Sequence, residues 1–173
     1  IKRDAAGVVD AISSEDIGKM PDANLAESLQ RITGISIDRT NGEGAKITAR
    51  GFGPEFNLVT LNGRQLASAS IGEGNNLDAS RSFDMSNIAS ESVSGVQVYK
   101  TGRANIPTGG IGATVNLSTA KPFDHEGFKA TVGGKGLYDE SNDIGTDITP
   151  ELSGFVSWSN DMFGASLSLV HQE

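Results

Sequence analysis

Three stretches near the C-terminal end constrain this chain more than anything else in it. Phe128, Ala130, Val132, Gly134, Gly136 and Tyr138 share one side of an alternating run, and Lys129, Thr131, Gly133 and Lys135 share the other. Leu152, Gly154, Val156 and Trp158 alternate with Glu151, Ser153, Phe155, Ser157 and Ser159. Phe163, Ala165, Leu167 and Leu169 alternate with Gly164, Ser166 and Ser168. A period of two held over about ten residues predicts a strand with one apolar and one polar face. The first connection, Asp139 to Thr149, is long and acidic, and the second, at Asn160-Asp161, is tight. Phe128, Tyr138, Trp158 and Phe163 fall near strand ends. Tall alternating strands, unequal connections and aromatic ends match a transmembrane β-barrel. A soluble antiparallel meander with one wetted face satisfies the same alternation. Since the smallest barrels need about eight strands, the barrel reading makes these three an incomplete barrel and the chain a piece of a larger one.

Upstream the pattern is different. Asp22 is the expected N-cap of a helix whose apolar residues Leu25, Leu29 and Ile32 follow at helical spacing, with Gly34 as its stop. That stripe is expected to pack on a sheet. From residue 35 the period falls to two. Strands are expected at Ile35–Arg39, Ile47–Arg50, Leu58–Leu61, Val93–Lys100 and Thr114–Thr119. Asn62-Gly63 is a strong hairpin signal. Residues 66–82 form a polar loop rich in Gly, Ser and Asn.

Composition removes several function classes. The chain has 173 residues, no Cys and a formal net charge of −8. The absence of Cys excludes disulfides, thiol catalysis and zinc–thiolate sites. The acidic balance argues against nucleic acid as a partner. His125 and His171 are too few and too far apart in sequence for a metal centre or a catalytic triad. The glycines at 72, 74, 109, 110 and 112 complete no phosphate-binding pattern. A calcium loop at Asp139 fails because its Gly is displaced to 145 and Pro150 stands at the twelfth position. No pair of carboxylates is singled out for glycoside chemistry. The expectation is a protein that is not an enzyme, with no cofactor and no metal.

Seven segments then line up in order. They are Glu15 to Asp22, Leu25 to Ile37, Ala49-Arg50-Gly51-Phe52, Val59 to Arg64, Val96 to Lys100, Gly109 to Leu117, and Lys121-Pro122. Together they resemble the plug domain of TonB-dependent outer-membrane receptors over residues 8–122, and the alternating tail is similar to the first strands of the receptors' barrel. Two positions depart from the family pattern: Gln97 stands where a Glu is frequent, and Ala113 where a Gly is frequent.

The resemblance implies an α/β (α+β) plug with a mixed sheet and short helices over residues 1–122, then antiparallel strands of an incomplete transmembrane β-barrel over 123–173. It implies an outer-membrane location, with the plug in the barrel lumen facing the periplasm. It also implies coupling to the TonB protein, through a segment expected upstream of Ile1. Three turns are implied to face the nutrient, giving Asn41, Glu43, Phe52, Glu55, Phe56, Asn57, Gln65, Glu73, Asn75, Asn76 and Asp78 as candidate ligand contacts. Arg31, Arg50 and Arg64 are the candidate locks between plug and barrel wall. The neutral polar loop favours a carbohydrate ligand. The alternatives are a ferric siderophore, or a soluble β-rich binding module. Unpaired edges on the strands within 127–173 are expected to recruit a second copy of the isolated chain.

Overall fold

The helical spacing before residue 35 and the period of two after it are both realised in the computed structural model. It describes residues 7–13, 24–40, 43–66, 81–85, 88, 90–138 and 148–171. The chain forms two compact units, Ile1–Thr119 and Ala120–Glu173.

In the first unit the elements are β1 (Val9–Ser13), α1 (Leu25–Leu29), β2 (Ile35–Thr40), β3 (Glu43–Ala49), β4 (Leu58–Leu61), β5 (Arg64–Gln65), β6 (Val93–Tyr99) and β7 (Thr114–Thr119). Five strands form one sheet in the order β1-β6-β7-β4-β5. Its β4–β7 pair is parallel and its other pairs are antiparallel, so the sheet is mixed. The β2–β3 hairpin stands apart from it.

The register sorts the two sheet faces. One carries Ile12, Val96, Leu117 and Leu61 in one row, and Asp10, Val98, Val115 and Val59 in the next. This face meets Leu25, Leu29 and Ile32, together with Ile35 and Ile47 of the hairpin, in the apolar core. The other face is largely polar, with Gln97, Asn116 and Thr60 side by side. The Asn116 carboxamide oxygen accepts from the Thr60 hydroxyl at 2.9 Å and from the Gly63 amide at 2.8 Å.

The helix is shorter than its stripe suggested, and its cap is not Asp22, which lies outside the described residues. Asn24 is the N-cap. Its Oδ1 accepts from the Glu27 amide at 3.2 Å, and its Nδ2 donates to the Gly44 carbonyl at 2.7 Å. One side chain thus closes the helix start and ties it to β3. Asn62 and Gly63 take φ of 51° and 80° in the β4–β5 turn, as a two-residue hairpin requires.

The second unit is the sheet β8 (Gly127–Tyr138), β9 (Ile148–Ser159) and β10 (Gly164–His171), antiparallel in the order β10-β9-β8. Its register stacks Phe128, Trp158 and Ala165 in one row, Ala130, Val156 and Leu167 in the next, and Val132, Gly154 and Leu169 in a third. This apolar face is open: Val132 is 88% exposed and Leu167 61%. On the opposite face Ser157 and Ser159 are buried, and their hydroxyls donate to the carbonyls of Pro122 and His125. Asn160 makes the tight turn, its Oδ1 accepting from the amides of Met162 and Phe163. Among the described residues the outer edges of β8 and β10 carry no further strand.

Candidate functional site

The strand-end sequence Ala49-Arg50-Gly51-Phe52 builds a tight reversal. Arg50 and Gly51 both take left-handed φ, 54° and 79°, and Ala49 and Phe52 exchange backbone hydrogen bonds of 3.2 and 2.9 Å across them. A β-carbon is disfavoured at positive φ, so Arg50 must be held there. Its Nε donates to the Gly112 carbonyl and its Nη2 to the Ile111 carbonyl, each at 2.9 Å. The backbone adds two rungs on the same side: Gly112 N donates to Phe56 O at 3.1 Å, and Leu58 N to Ala113 O at 3.0 Å. The reversal and the Gly-rich loop before β7 are therefore one tied structure. Gly112 has no room for a side chain, since a β-carbon there would lie 2.3 Å from Asn57 Oδ1 and 3.1 Å from Ala49 O.

Above these ties a 3₁₀ turn, Pro54–Phe56, lifts Phe52, Glu55 and Phe56 to the surface. The two rings meet edge to face, with centroids 6.3 Å apart and planes at 64°. Both stay open, at 42% and 46% exposure. This aromatic pair beside an exposed carboxylate is the best-formed exposed cluster among the sequence candidates that the structure describes.

Asn57 departs from its sequence reading as a ligand contact. It is buried, and its Nδ2 donates to the carbonyls of Ile47 and Gly53 at 2.9 and 3.2 Å. The side chain is committed to backbone groups beneath the turn. Gln65 and Arg64 are exposed on β5, beside Thr60 and Leu61, away from the aromatic pair in the register. Arg31 is exposed in the turns after α1. Glu43 opens β3. Asn41, Glu73, Asn75, Asn76 and Asp78 lie outside the described residues.

Arg50 also lines a cavity of about 190 Å³ with Tyr99, Lys100, Arg103 and the Gly109-Gly110 backbone. Three cationic residues border it, of which Lys100 is paired with Asp10 at 2.6 Å. Sequence reasoning missed the contribution of Lys100 and Arg103. A Lys-Thr-Gly-Arg stretch after β6 carries the charges, but nothing in the sequence brings them against Arg50. Gln97 replaces the frequent Glu without leaving its carboxamide idle, since Gln97 Oε1 accepts from the Tyr99 hydroxyl at 2.5 Å.

Comparison with known proteins agrees with this architecture. The family model described as the TonB-dependent receptor plug domain matches residues 1–114. A curated relative, the ferric enterobactin receptor PirA of Pseudomonas aeruginosa, is 28% identical over 124 residues, 67% of this chain. The structure of the siderophore receptor PirA from Acinetobacter baumannii superposes with a TM-score of 0.76 over 99% of this chain, at 22% identity. The Serratia marcescens hemophore receptor HasR superposes with a TM-score of 0.70 over 96% of it, at 21% identity. At those identities the superpositions speak for the fold alone. The chain spans 17% of the curated relative and 25% and 24% of the two structures.

Proposed function

Because the chain belongs to the TonB-dependent receptor plug domain family, we propose that it is the gate, with the first wall strands, of an outer-membrane receptor that imports a ferric siderophore. The observation that carries the ligand class is the 28% identity to a ferric enterobactin receptor over 124 residues. The exposed Phe52–Phe56 pair supports it, as a surface on which an aromatic chelating group can stack. This reading replaces the carbohydrate expectation. That expectation rested on the neutral polar loop around Asn75 and Asn76, which lies outside the described residues, whereas the curated relative is a ferric enterobactin receptor.

In this reading β8–β10 sit in the outer-membrane wall with their apolar face toward lipid and their polar face toward the lumen. The plug fills the lumen and faces the periplasm below. The TonB protein engages it through a segment upstream of Ile1. Ligand bonds are neither made nor broken. The gate binds, is displaced, and reseats. Arg50 and Arg103, in the wall of this cavity, are the candidate partners for a carboxylate of the barrel wall in the resting state, whereas Lys100 is already paired with Asp10. Arg31 and Arg64 are exposed and remain further lock candidates.

Equilibrium titration of the intact receptor with ferric enterobactin and with neutral oligosaccharides tests the ligand class. Saturable binding of the chelate alone is expected. Replacing both Phe52 and Phe56 by Ala should weaken that binding about tenfold, the order of one or two lost aromatic contacts. Saturable oligosaccharide binding with no response to the chelate would return the reading to carbohydrate.

A further inference from the structure

Lys121-Pro122, the last of the seven ordered sequence segments, falls outside the plug unit, which ends at Thr119. It opens a 3₁₀ turn, Pro122–Asp124, that precedes β8. Lys121 is extended, as the residue before a proline prefers, and Pro122 loses nothing by lacking an amide donor at the first position of a turn. The turn closes on itself. Asp124 N donates to Lys121 O at 3.1 Å, and Lys121 N donates to Asp124 Oδ2 at 2.8 Å. Residues 121–124 are thus a formed element, not an open linker.

That element lies on the polar face of the three-stranded sheet. In the register Gly164 faces Ser159, and Ser166 faces Ser157 one row further along the same face. Ser159 Oγ donates to the His125 carbonyl at 2.6 Å, and Ser157 Oγ to the Pro122 carbonyl at 3.4 Å. Both serines are buried beneath the turn, at 5% and 1% exposure. Gly164 supplies the space that the turn fills. A β-carbon there would lie 2.8 Å from Pro122 Cβ and 3.2 Å from the Phe123 ring. The two hydroxyls come from β9 and the missing side chain from β10, so the turn is held across two strands.

We propose that residues 121–125 are an anchor belonging to the wall, and that Ala120 is the pivot of the gate. Strand β7 is an inner strand of the plug sheet, between β6 and β4, and it ends at Thr119. One residue, Ala120, separates it from the anchor. At about 3.6 Å per extended residue, the end of β7 stays within roughly 7 Å of a point fixed on the wall, however the plug rearranges. Displacement of the plug is then taken up by turning at Ala120, or by parting β7 from its neighbours. The inference takes from the proposed function only that β8–β10 belong to the wall, and it is independent of the nutrient.

Native-state hydrogen exchange on the intact receptor, in urea below the unfolding transition of the wall, tests whether the anchor opens with the plug or with the wall. Peptides covering 121–126 should keep the protection of β9 and β10 at urea concentrations where β4, β6 and β7 have lost theirs. In the Ser157→Ala, Ser159→Ala double variant, exchange of 121–126 should quicken about tenfold, the order of two lost neutral hydrogen bonds, with β7 unchanged. Gly164→Ala, whose methyl would meet Pro122, should quicken the same peptides and serves if the double variant does not fold. Opening of 121–126 together with β7, while β8–β10 stay protected, would overturn the anchor. Exchange of 121–126 unchanged in the folded variants would overturn its attachment to the serines and Gly164.

Discussion

Asn57 and Arg50 show how a single side chain beneath an exposed aromatic turn can hold that turn in place. Asn57 places its amide among carbonyls contributed by β3 and by the aromatic turn. Its Oδ1 is buried without a hydrogen-bond partner and is close-packed against Gly112. Asn57→Ala should therefore lower the stability of the folded protein by about 1–3 kcal/mol, the range for leaving buried backbone acceptors unpaired. Asn57→Asp should lower it further, because an acceptor would then face acceptors. Chemical denaturation measures both, and stability unchanged in either variant would restore Asn57 to the list of direct contacts. The sequence placed Asn57 in the right turn but could not give its depth, since Ile47 reaches it only once the hairpin is closed. The role of Arg50 was half legible. Arg-Gly at a strand end marked a special position, but a left-handed Arg clamped on two carbonyls of a loop some 60 residues later is set by tertiary structure.

At the level of elements, legibility followed the strength of the local pattern. The strands β4, β6 and β7 and the three long ones, β8–β10, were read close to their observed bounds, because alternation and the Asn62-Gly63 signal specify them locally. The strand β1 was not read at all. Its five residues alternate weakly, and their pairing is with a strand more than 80 residues away. The helix was placed correctly by Leu25 and Leu29, yet its start was misassigned because Asp22 and Asn24 are both good caps and only the Gly44 carbonyl decides between them. The element with the clearest consequence is β10. Leu167 lies in a row with Val156 and Ala130 on the open apolar face and is 61% exposed. Leu167→Lys should leave plug stability unchanged while opposing insertion of the wall, by about 2–4 kcal/mol if the row sits at mid-membrane. Refolding the intact protein into lipid vesicles and measuring the inserted fraction checks this, and equal insertion of variant and parent would contradict a lipid-facing β10.

For the whole molecule, the polarity of its surfaces fits its proposed place. The plug sheet has one apolar face, closed over by α1 and the hairpin, and one mixed face on which Gln97, Asn116 and Thr60 lie beside a row of Val9, Tyr99, Thr114 and Leu58. The wall sheet has the reverse need, and its apolar face is exposed. A gate bounded by exchangeable polar contacts can be displaced and can return, whereas a large dry interface would resist both. That account depends on passage of an iron chelate through the gated receptor. The most direct measurement is uptake of radiolabelled ferric enterobactin by iron-starved cells that carry the intact receptor as their sole route, against a labelled neutral oligosaccharide. The account predicts accumulation of iron that stops when the inner-membrane proton gradient is collapsed, and no accumulation of sugar. Energy-dependent accumulation of sugar with exclusion of the chelate would contradict it.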